Sequence, residues 1–208
     1  ICLAVQENNI KMVKWLHYEG GNLKAQNNWC FTMAISREYF DILDWIVSLN
    51  LIDLNYDHEY LFRSACLNAS LDSVKWLYSK TEIDIHTRGD EVFINACLNK
   101  RLDLVKWLYS IGNYDFSSSS NFIFPNLIVY NCLEVAKWFY DLNIININES
   151  NDYYFRLACK SNLFEFVKWI YSKGNVEIKA NRNEAFLFCC QNNFTEIAKW
   201  LSDLNKDE

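Results

Sequence analysis

Three observations predict an all-α fold built from stacked helix-turn-helix repeats. Seven of the eight tryptophans follow one another at a spacing of 30 residues and then five times at 31 residues, a period typical of repeat proteins. Apolar residues recur at fixed distances from each tryptophan, at spacings that suit one face of a helix. Gly or Asn closes the repeats, where a helix is expected to stop. The repeat tryptophans are Trp15, Trp45, Trp76, Trp107, Trp138, Trp169 and Trp200.

The first helix of each repeat has a phenylalanine fourteen residues before the repeat tryptophan and a small or apolar residue eleven before it. A separation of three residues places both on one helix face, which predicts a packed face and, in the third repeat, a helix over 60–69. The phenylalanines are Phe31, Phe62, Phe93, Phe124, Phe155 and Phe186. The residues at the other position are Ala4, Ala34, Ala65, Ala96, Leu127, Ala158 and Cys189.

A second helix follows in each repeat, as at 71–80. In the third to seventh repeats it begins with an acidic residue that suits the positive end of the helix dipole: Asp72, Asp103, Glu134, Glu165 and Glu196. The tryptophan stands among Val, Leu and Ile at helical spacing, so it is predicted to be core; a row of aromatic rings for a ligand is the alternative. Tyrosines two residues later are expected to be half-buried between repeats. The helix ends are predicted near Gly20, Asn50, Gly112, Asn143, Gly174 and Asn205.

Short alternating stretches follow the second helices, as in Ile83-Asp84-Ile85-His86 and Ile145-Asn146-Ile147-Asn148. Alternation over so few residues predicts an extended connector with one face packed on the next repeat.

These patterns resemble the ankyrin repeat across nearly the whole chain. Leu102 to Gly112 (LDLVKWLYSIG) is similar to the second ankyrin helix, and Ala65-Cys66 and Ala96-Cys97 occupy the place of the family's Ala-Ala pair. The Lys-Trp-Leu-Tyr wording, with heavy use of Asn, Ile, Tyr, Phe and Lys, is similar to ankyrin proteins of amoeba-infecting giant viruses. The resemblance implies an ankyrin-like repeat solenoid.

Two departures from the ankyrin pattern change the expected structure. The family's Thr-Pro-Leu-His opening is absent from every repeat, so its helix-capping hydrogen bonds are not expected. The period is shorter than the usual ankyrin length of roughly 33 residues. We therefore expect tight turns where the family has β-hairpins.

One array is predicted over 1–208, because repeats of this kind are stable only through their neighbours. The approximate repeats are 1–21, 22–51, 52–82, 83–113, 114–144, 145–175 and 176–208. The chain begins at Ile1 inside a predicted helix, so we expect a truncated N-terminus. The fifth repeat departs from the pattern, with serines at 117–120 that predict a turn; a phosphorylation site or a hinge is the alternative.

The charge pattern argues against nucleic acid as the partner. The net charge is −6, whereas nucleic-acid surfaces are basic. A lysine precedes six of the repeat tryptophans, but in five of these repeats an acidic residue lies three positions earlier, which predicts a charge-balanced, solvated face. No apolar stretch approaches the roughly 18 to 20 residues of a membrane span.

Catalytic, metal and disulfide chemistry find little support in the sequence. The three histidines lie in different repeats, and no Gly-rich phosphate loop or Cys/His zinc spacing occurs. Stacked helices are about 8 to 10 Å apart, too far for a disulfide between equivalent cysteines. Small buried thiols are therefore predicted at Cys66, Cys97, Cys159 and Cys190, while Cys2, Cys30 and Cys132 are scattered. No catalytic residue, metal, cofactor or small-molecule substrate is expected. The free thiols predict a reducing, cytoplasmic compartment. For a viral protein this is the host cytoplasm, with the virion as the alternative.

The resemblance implies non-catalytic recognition of another protein on a concave face formed by first helices and connector turns. Trp29, the one tryptophan outside the period, is predicted as a contact residue. The first-helix candidates are Gln6, Glu7, Ser36, Arg37, Asn68, Asn99, Tyr130, Lys160, Ser161, Gln191 and Asn192. The turn candidates are Tyr56, Asp57, Thr87, Arg88, Glu149, Ser150, Asn181 and Arg182.

Two other classes of function are compatible with the sequence. A structural protein, such as a capsid or fibre component, would self-associate. An adaptor would select a substrate protein for ubiquitin ligase machinery through a further domain, such as the F-box of similar viral proteins.

Overall fold

A computed structural model describes residues 1–50, 58–114, 120–147, 152–173, 176 and 180–207. These residues form fourteen helices and no strand, which confirms the predicted all-α class. The helices are α1 (Cys2–Gln6), α2 (Ile10–Tyr18), α3 (Ala25–Ser36), α4 (Phe40–Ser48), α5 (His58–Asn68), α6 (Leu71–Lys80), α7 (Thr87–Leu98), α8 (Leu102–Ile111), α9 (Ser120–Val129), α10 (Leu133–Asp141), α11 (Tyr153–Lys160), α12 (Phe164–Lys173), α13 (Ala180–Gln191) and α14 (Thr195–Asp207).

The helices group into two compact units, Ile1–Val92 and Phe93–Glu208, with the boundary inside α7. In the N-terminal unit α3 packs on its partner α4 and on the neighbouring first helices α1 and α5, and α2 packs on α4. In the C-terminal unit α11 packs on α12, α9 and α13, and α12 packs on α14. Odd-numbered helices are thus the first helices of the predicted repeats and even-numbered helices the second helices, and each unit has the packing of a helical repeat.

The core follows the columns that the sequence predicts. The phenylalanines from Phe31 to Phe155 are at most 2 % exposed, and the seven residues three positions later are all buried. Phe186 is half-buried. In the second helices from α4 to α12 the buried positions are three and two residues before the tryptophan and one after it, as in Ile42, Leu43 and Ile46.

The prediction that the repeat tryptophans are core is wrong for six of the seven. Only Trp169 is buried, at 9 % exposure, whereas Trp15 is 55 % exposed and the other five are half-buried. The reason lies in helix geometry. At about 100° per residue, the tryptophan lies roughly 100° from the centre of the face formed by the three buried positions. The indole therefore stands at the edge of the buried face.

At that edge, indoles from both units pack on the preceding second helix of their own unit. Trp138, Trp169 and Trp200 meet the rings of Tyr109, Tyr140 and Tyr171 edge-on, with centroids 5.2, 5.9 and 5.2 Å apart. In the N-terminal unit His17 meets Trp45 in the same way at 5.5 Å. The tyrosines are half-buried, as predicted. The period thus reflects contact between neighbouring repeats.

Left-handed residues make the turn between the two helices of most repeats. The residue seven before the tryptophan has φ between 52° and 63° at Asn8, Glu38, Lys100, Asn131, Asn162 and Asn193, and Asn tolerates this conformation best among non-glycine residues. In the third repeat Ala69 occupies this position, and the Ser70 hydroxyl accepts from the Ser73 backbone N–H at 3.2 Å instead.

The predicted helix ends are correct at some positions and wrong at others. The second helix of the third repeat covers Leu71–Lys80, as predicted, and Asn50 and Asn143 are left-handed beyond α4 and α10. By contrast, α14 continues through Asn205 to Asp207, so the predicted stop there is wrong. Of the serine run, 117–119 lie outside the described residues, and Ser120 begins α9.

The cysteines are free thiols that differ in how deeply they are buried. Cys66, Cys97 and Cys159 are buried as predicted, but Cys190 is exposed because its neighbour Cys189 faces the core. Cys2 and Cys30, which looked scattered in the sequence, bring their Sγ atoms to 3.5 Å across α1 and α3. Burial, reinforced by the Cys2 thiol, raises the pKa of Cys30 to about 12. This thiol therefore stays protonated at neutral pH.

Candidate functional site

An open cavity of about 300 Å³ lies between the first helices α3 and α5 of the N-terminal unit. Its rim carries two aromatic rings, Trp29 and Tyr60, and its floor is apolar, with Ile35, Leu61 and Ala65. The remaining lining residues are small or neutral polar ones: Asn28, Thr32, Ser36, Ser64, Asn68 and Ala69. None of the described lining residues carries a formal charge.

One residue that lines the cavity is small where two other repeats hold a bulky side chain. Twelve residues before the repeat tryptophan the chain has Ser64, where α11 has Leu157 and α13 has Phe188. The small Ser64 side chain leaves room between α3 and α5. Beside the cavity, the fully buried Ser73 links α6 to α3, because its hydroxyl donates to the Ile35 carbonyl oxygen at 2.6 Å.

The equivalent groove of the C-terminal unit, between α11 and α13, is occupied by the chain's own side chains. Lys160 and Arg156 of α11 contact the Glu184 carboxylate of α13, with nitrogen–oxygen distances of 2.6 and 3.4 Å. The Lys160 ammonium also lies 5.8 Å from the centre of the Phe188 ring. These four residues occupy the same repeat positions as Ser36, Thr32, Tyr60 and Ser64.

The polar side chains of the cavity have their hydrogens directed to their own helices. Thr32 Oγ1 donates to the Trp29 carbonyl at 3.1 Å, and Ser36 Oγ donates to the Met33 carbonyl at 2.9 Å. Asn68 donates one amide hydrogen to the Ser64 carbonyl at 3.2 Å. Such back-bonding is the local alternative that helices offer to Ser, Thr and Asn. The oxygens keep lone pairs for a further partner.

Large apolar side chains are exposed on the outer face of the first helices, which we define as positions 16, 13 and 9 before the repeat tryptophan. At about 100° per residue these positions lie opposite the Phe and Ala columns. Tyr60 and Leu67 of α5 are 60 % and 46 % exposed, and Tyr153 of α11 and Leu187 of α13 are 42 % and 50 % exposed. Apolar side chains on such a face are typical of an interaction surface.

The cavity brings together three of the predicted contact residues, Trp29, Ser36 and Asn68. Sequence reasoning missed Asn28, Thr32, Tyr60 and Ser64. Ser64 carries the signal that could have found the site, because aligning the repeats shows a small residue where others hold a bulky one.

Other predicted contact residues lie at the ends of first helices, outside the cavity. Gln6, Glu7, Arg37, Asn99, Tyr130, Gln191 and Asn192 are exposed there, and Ser161 is half-buried. Asn99 and Asn192 donate to the carbonyls of Asn95 and Phe188, the bond that Asn68 makes in its own helix. This shared bond shows that the asparagines stabilise helix ends as well as facing solvent.

The placement of four residues in connector turns is wrong. Thr87 and Arg88 lie in the first turn of α7, and Asn181 and Arg182 lie in α13, because both helices begin earlier than the pattern predicts. Arg88 nevertheless has a left-handed φ of 56° and faces Glu91 at 4.0 Å. Tyr56, Asp57, Glu149 and Ser150 lie outside the described residues.

Two kinds of feature are absent from the described residues. No three His, Cys, Asp or Glu side chains there are grouped so that they could bind a metal ion. None of the helices in that part of the chain combines the length and apolar character of a membrane span.

Within each compact unit the chain therefore has a helical-repeat-like architecture, with an open groove beside α3 and α5 in the N-terminal one. Comparison with protein-family models and with curated proteins finds no match.

Proposed function

We propose that this chain is an array of degenerate ankyrin-like repeats whose function is to bind another protein without catalysis. The period of about 31 residues and the buried Phe and Ala columns support the ankyrin-like assignment. The partner contacts the outer face of the first helices, and the α3/α5 cavity opens on that face.

The single observation that carries the proposal is the asymmetry of exposed apolar side chains on the two helix types from α3 to α14. Outside that range α2, a second helix, exposes Met12, Trp15 and Tyr18. First helices expose Tyr60, Leu67, Tyr153 and Leu187 opposite their buried columns. At the matching outward positions of the second helices stand acid–lysine pairs, such as Glu134–Lys137 at 2.8 Å and Glu165–Lys168 at 2.6 Å. Aromatic residues carry much of the binding energy in protein interfaces, whereas paired charges form a solvated surface.

A peptide-display selection against the pure chain tests this proposal. Peptides that the selection enriches are measured by fluorescence polarisation with the wild type and with two sets of variants. Tyr60→Ala, Tyr153→Ala and Leu187→Ala remove outer-face side chains, and each is expected to weaken at least one peptide roughly tenfold or more. Lys75→Ala and Lys106→Ala are matched controls on the second helices, with an expected change of less than about twofold.

Two results would overturn the proposal. One is that control and outer-face variants weaken every peptide equally. The other is that light scattering finds the chain in large homogeneous assemblies that the outer-face variants dissolve, which is the behaviour of a self-associating structural protein.

A further inference from the structure

We propose that the cavity between α3 and α5 accepts an arginine side chain of the bound protein. The inference rests on the proposed function, and it assigns a ligand chemistry to one part of the recognition surface. Its basis is the chemistry of the cavity wall.

Three polar side chains of the wall present hydrogen-bond acceptors to the cavity. The hydroxyl hydrogens of Thr32 and Ser36 are directed to carbonyls of α3, so their oxygens face a ligand as acceptors. Asn68 uses one amide hydrogen on α5 and retains its carbonyl oxygen. A ligand that complements this wall brings donors, and guanidinium has five donors and no acceptor.

The aromatic rim favours guanidinium over ammonium. Trp29 and Tyr60 line the opening from the two helices, and tryptophan and tyrosine attract cations through their ring faces. Guanidinium is planar and weakly hydrated, so it stacks on such rings at a smaller desolvation cost than the compact lysine ammonium. The net charge of −6 on the chain attracts a cationic partner.

In the C-terminal unit the chain's own side chains fill the equivalent positions of the α11/α13 groove. There Lys160 places its ammonium beside the Phe188 ring and against Glu184. The cation in that groove belongs to the chain. In the α3/α5 groove the corresponding positions are Ser36, Ser64 and Tyr60, which carry no positive charge. A cation at this place is therefore supplied by the bound protein.

The probe is the capped tripeptide acetyl-Gly-Arg-Gly-amide, with its citrulline, lysine and glutamine counterparts for comparison. Citrulline has nearly the shape of arginine and lacks its charge. Binding is followed by NMR on the indole N–H signals of the full chain, with that of Trp29 assigned by its loss in Trp29→Phe. A single side chain is expected to bind with a Kd on the order of millimolar. The arginine peptide should move the Trp29 signal saturably and bind at least about fivefold more tightly than the other three.

A substitution that fills the cavity provides the second experiment. Ser64→Phe introduces the residue that α13 carries at the same position, and it is expected to abolish the Trp29 shift while circular dichroism and Tm stay unchanged. Ser110→Phe on the exposed side of α8 is the matched control and should leave the shift intact. If Ser64→Phe unfolds the chain, Ser64→Leu, which copies α11, replaces it.

The inference is overturned if arginine and citrulline peptides bind equally, if no Trp29 shift saturates, or if the shift survives in a folded Ser64→Phe. These outcomes differ from failure of the proposed function. Display-selected peptides that lack arginine and bind the outer face would leave protein recognition standing and remove this assignment alone.

Discussion

The groove between α3 and α5 and the groove between α11 and α13 occupy equivalent places in the repeats but differ in the side chains that line them. Both lie between consecutive first helices, and the phenylalanine of the earlier helix, Phe31 or Phe155, is buried. In the C-terminal unit Phe188, Lys160 and Glu184 occupy the groove, whereas in the N-terminal unit Ser64, Ser36 and Tyr60 leave a cavity of about 300 Å³. The difference teaches that a degenerate repeat can keep its core columns unchanged while a change at one outward-inclined position opens or closes a groove.

The largest effect is expected where the two grooves are alike. Phe31→Ala and Phe155→Ala each remove a side chain that is at most 2 % exposed. Loss of such a ring costs roughly 3–5 kcal/mol of unfolding free energy, because apolar burial is lost and a void remains. Urea unfolding followed by circular dichroism measures the loss. A cost below about 1 kcal/mol in both variants would show that these columns are not the common core.

The next effect separates the grooves by exchanging their residues. Phe188→Ser opens the closed groove and is expected to cost about 1.5–2.5 kcal/mol, half the value for a fully buried phenylalanine, since Phe188 is half-buried. Ser64→Phe fills existing space and should change stability by less than about 1 kcal/mol. Both are measured by urea unfolding. Equal destabilisation by the two exchanges would contradict the view that only the α3/α5 groove has room.

The core columns could be predicted from sequence because local spacing fixes which helix face is apolar. The bounds of α6 and the burial of the Phe and Ala columns followed from that spacing. Tryptophan burial did not follow, because the burial of a residue at the edge of the face depends on which other helices pack against it. The repeat tryptophans and Cys190 were misplaced for this reason.

The candidate site was predicted only in part, for a related reason. Trp29, Ser36 and Asn68 were identified one at a time, whereas the cavity depends on what two helices leave unfilled between them. Spacing within one helix carries no information on that volume. Only the comparison of Ser64 with Phe188 across repeats does.

A smaller effect is expected from the ion pairs that close the second groove. Glu184→Gln removes the partner of both Lys160 and Arg156, yet the carboxylate is 38 % exposed. Partly exposed ion pairs contribute roughly 0.2–1 kcal/mol and are weakened by salt. A double-mutant cycle with Lys160→Met measures the coupling at low and high ionic strength. A coupling well above about 1 kcal/mol that salt does not reduce would mean that the pair behaves as a buried one.

The smallest effect concerns the corresponding link on the second-helix side of the N-terminal unit. Asp44 replaces the lysine that precedes most repeat tryptophans, and it accepts from Lys80 Nζ at 2.9 Å and Trp76 Nε1 at 3.1 Å. The Lys80 hydrogen bond lowers the pKa of Asp44, and the Trp76 bond acts in the same direction. A lowered folded-state pKa stabilises the fold above the unfolded pKa of about 4, and this contribution is lost as pH falls through the folded value.

Because the carboxylate is 53 % exposed, Asp44→Asn should cost only about 0.5 kcal/mol at neutral pH. The difference in unfolding free energy between wild type and variant should stay constant from neutral pH down to about pH 5 and vanish in more acidic solution. A difference that persists after the carboxylate is protonated would assign the contribution to the Trp76 hydrogen bond rather than to charge.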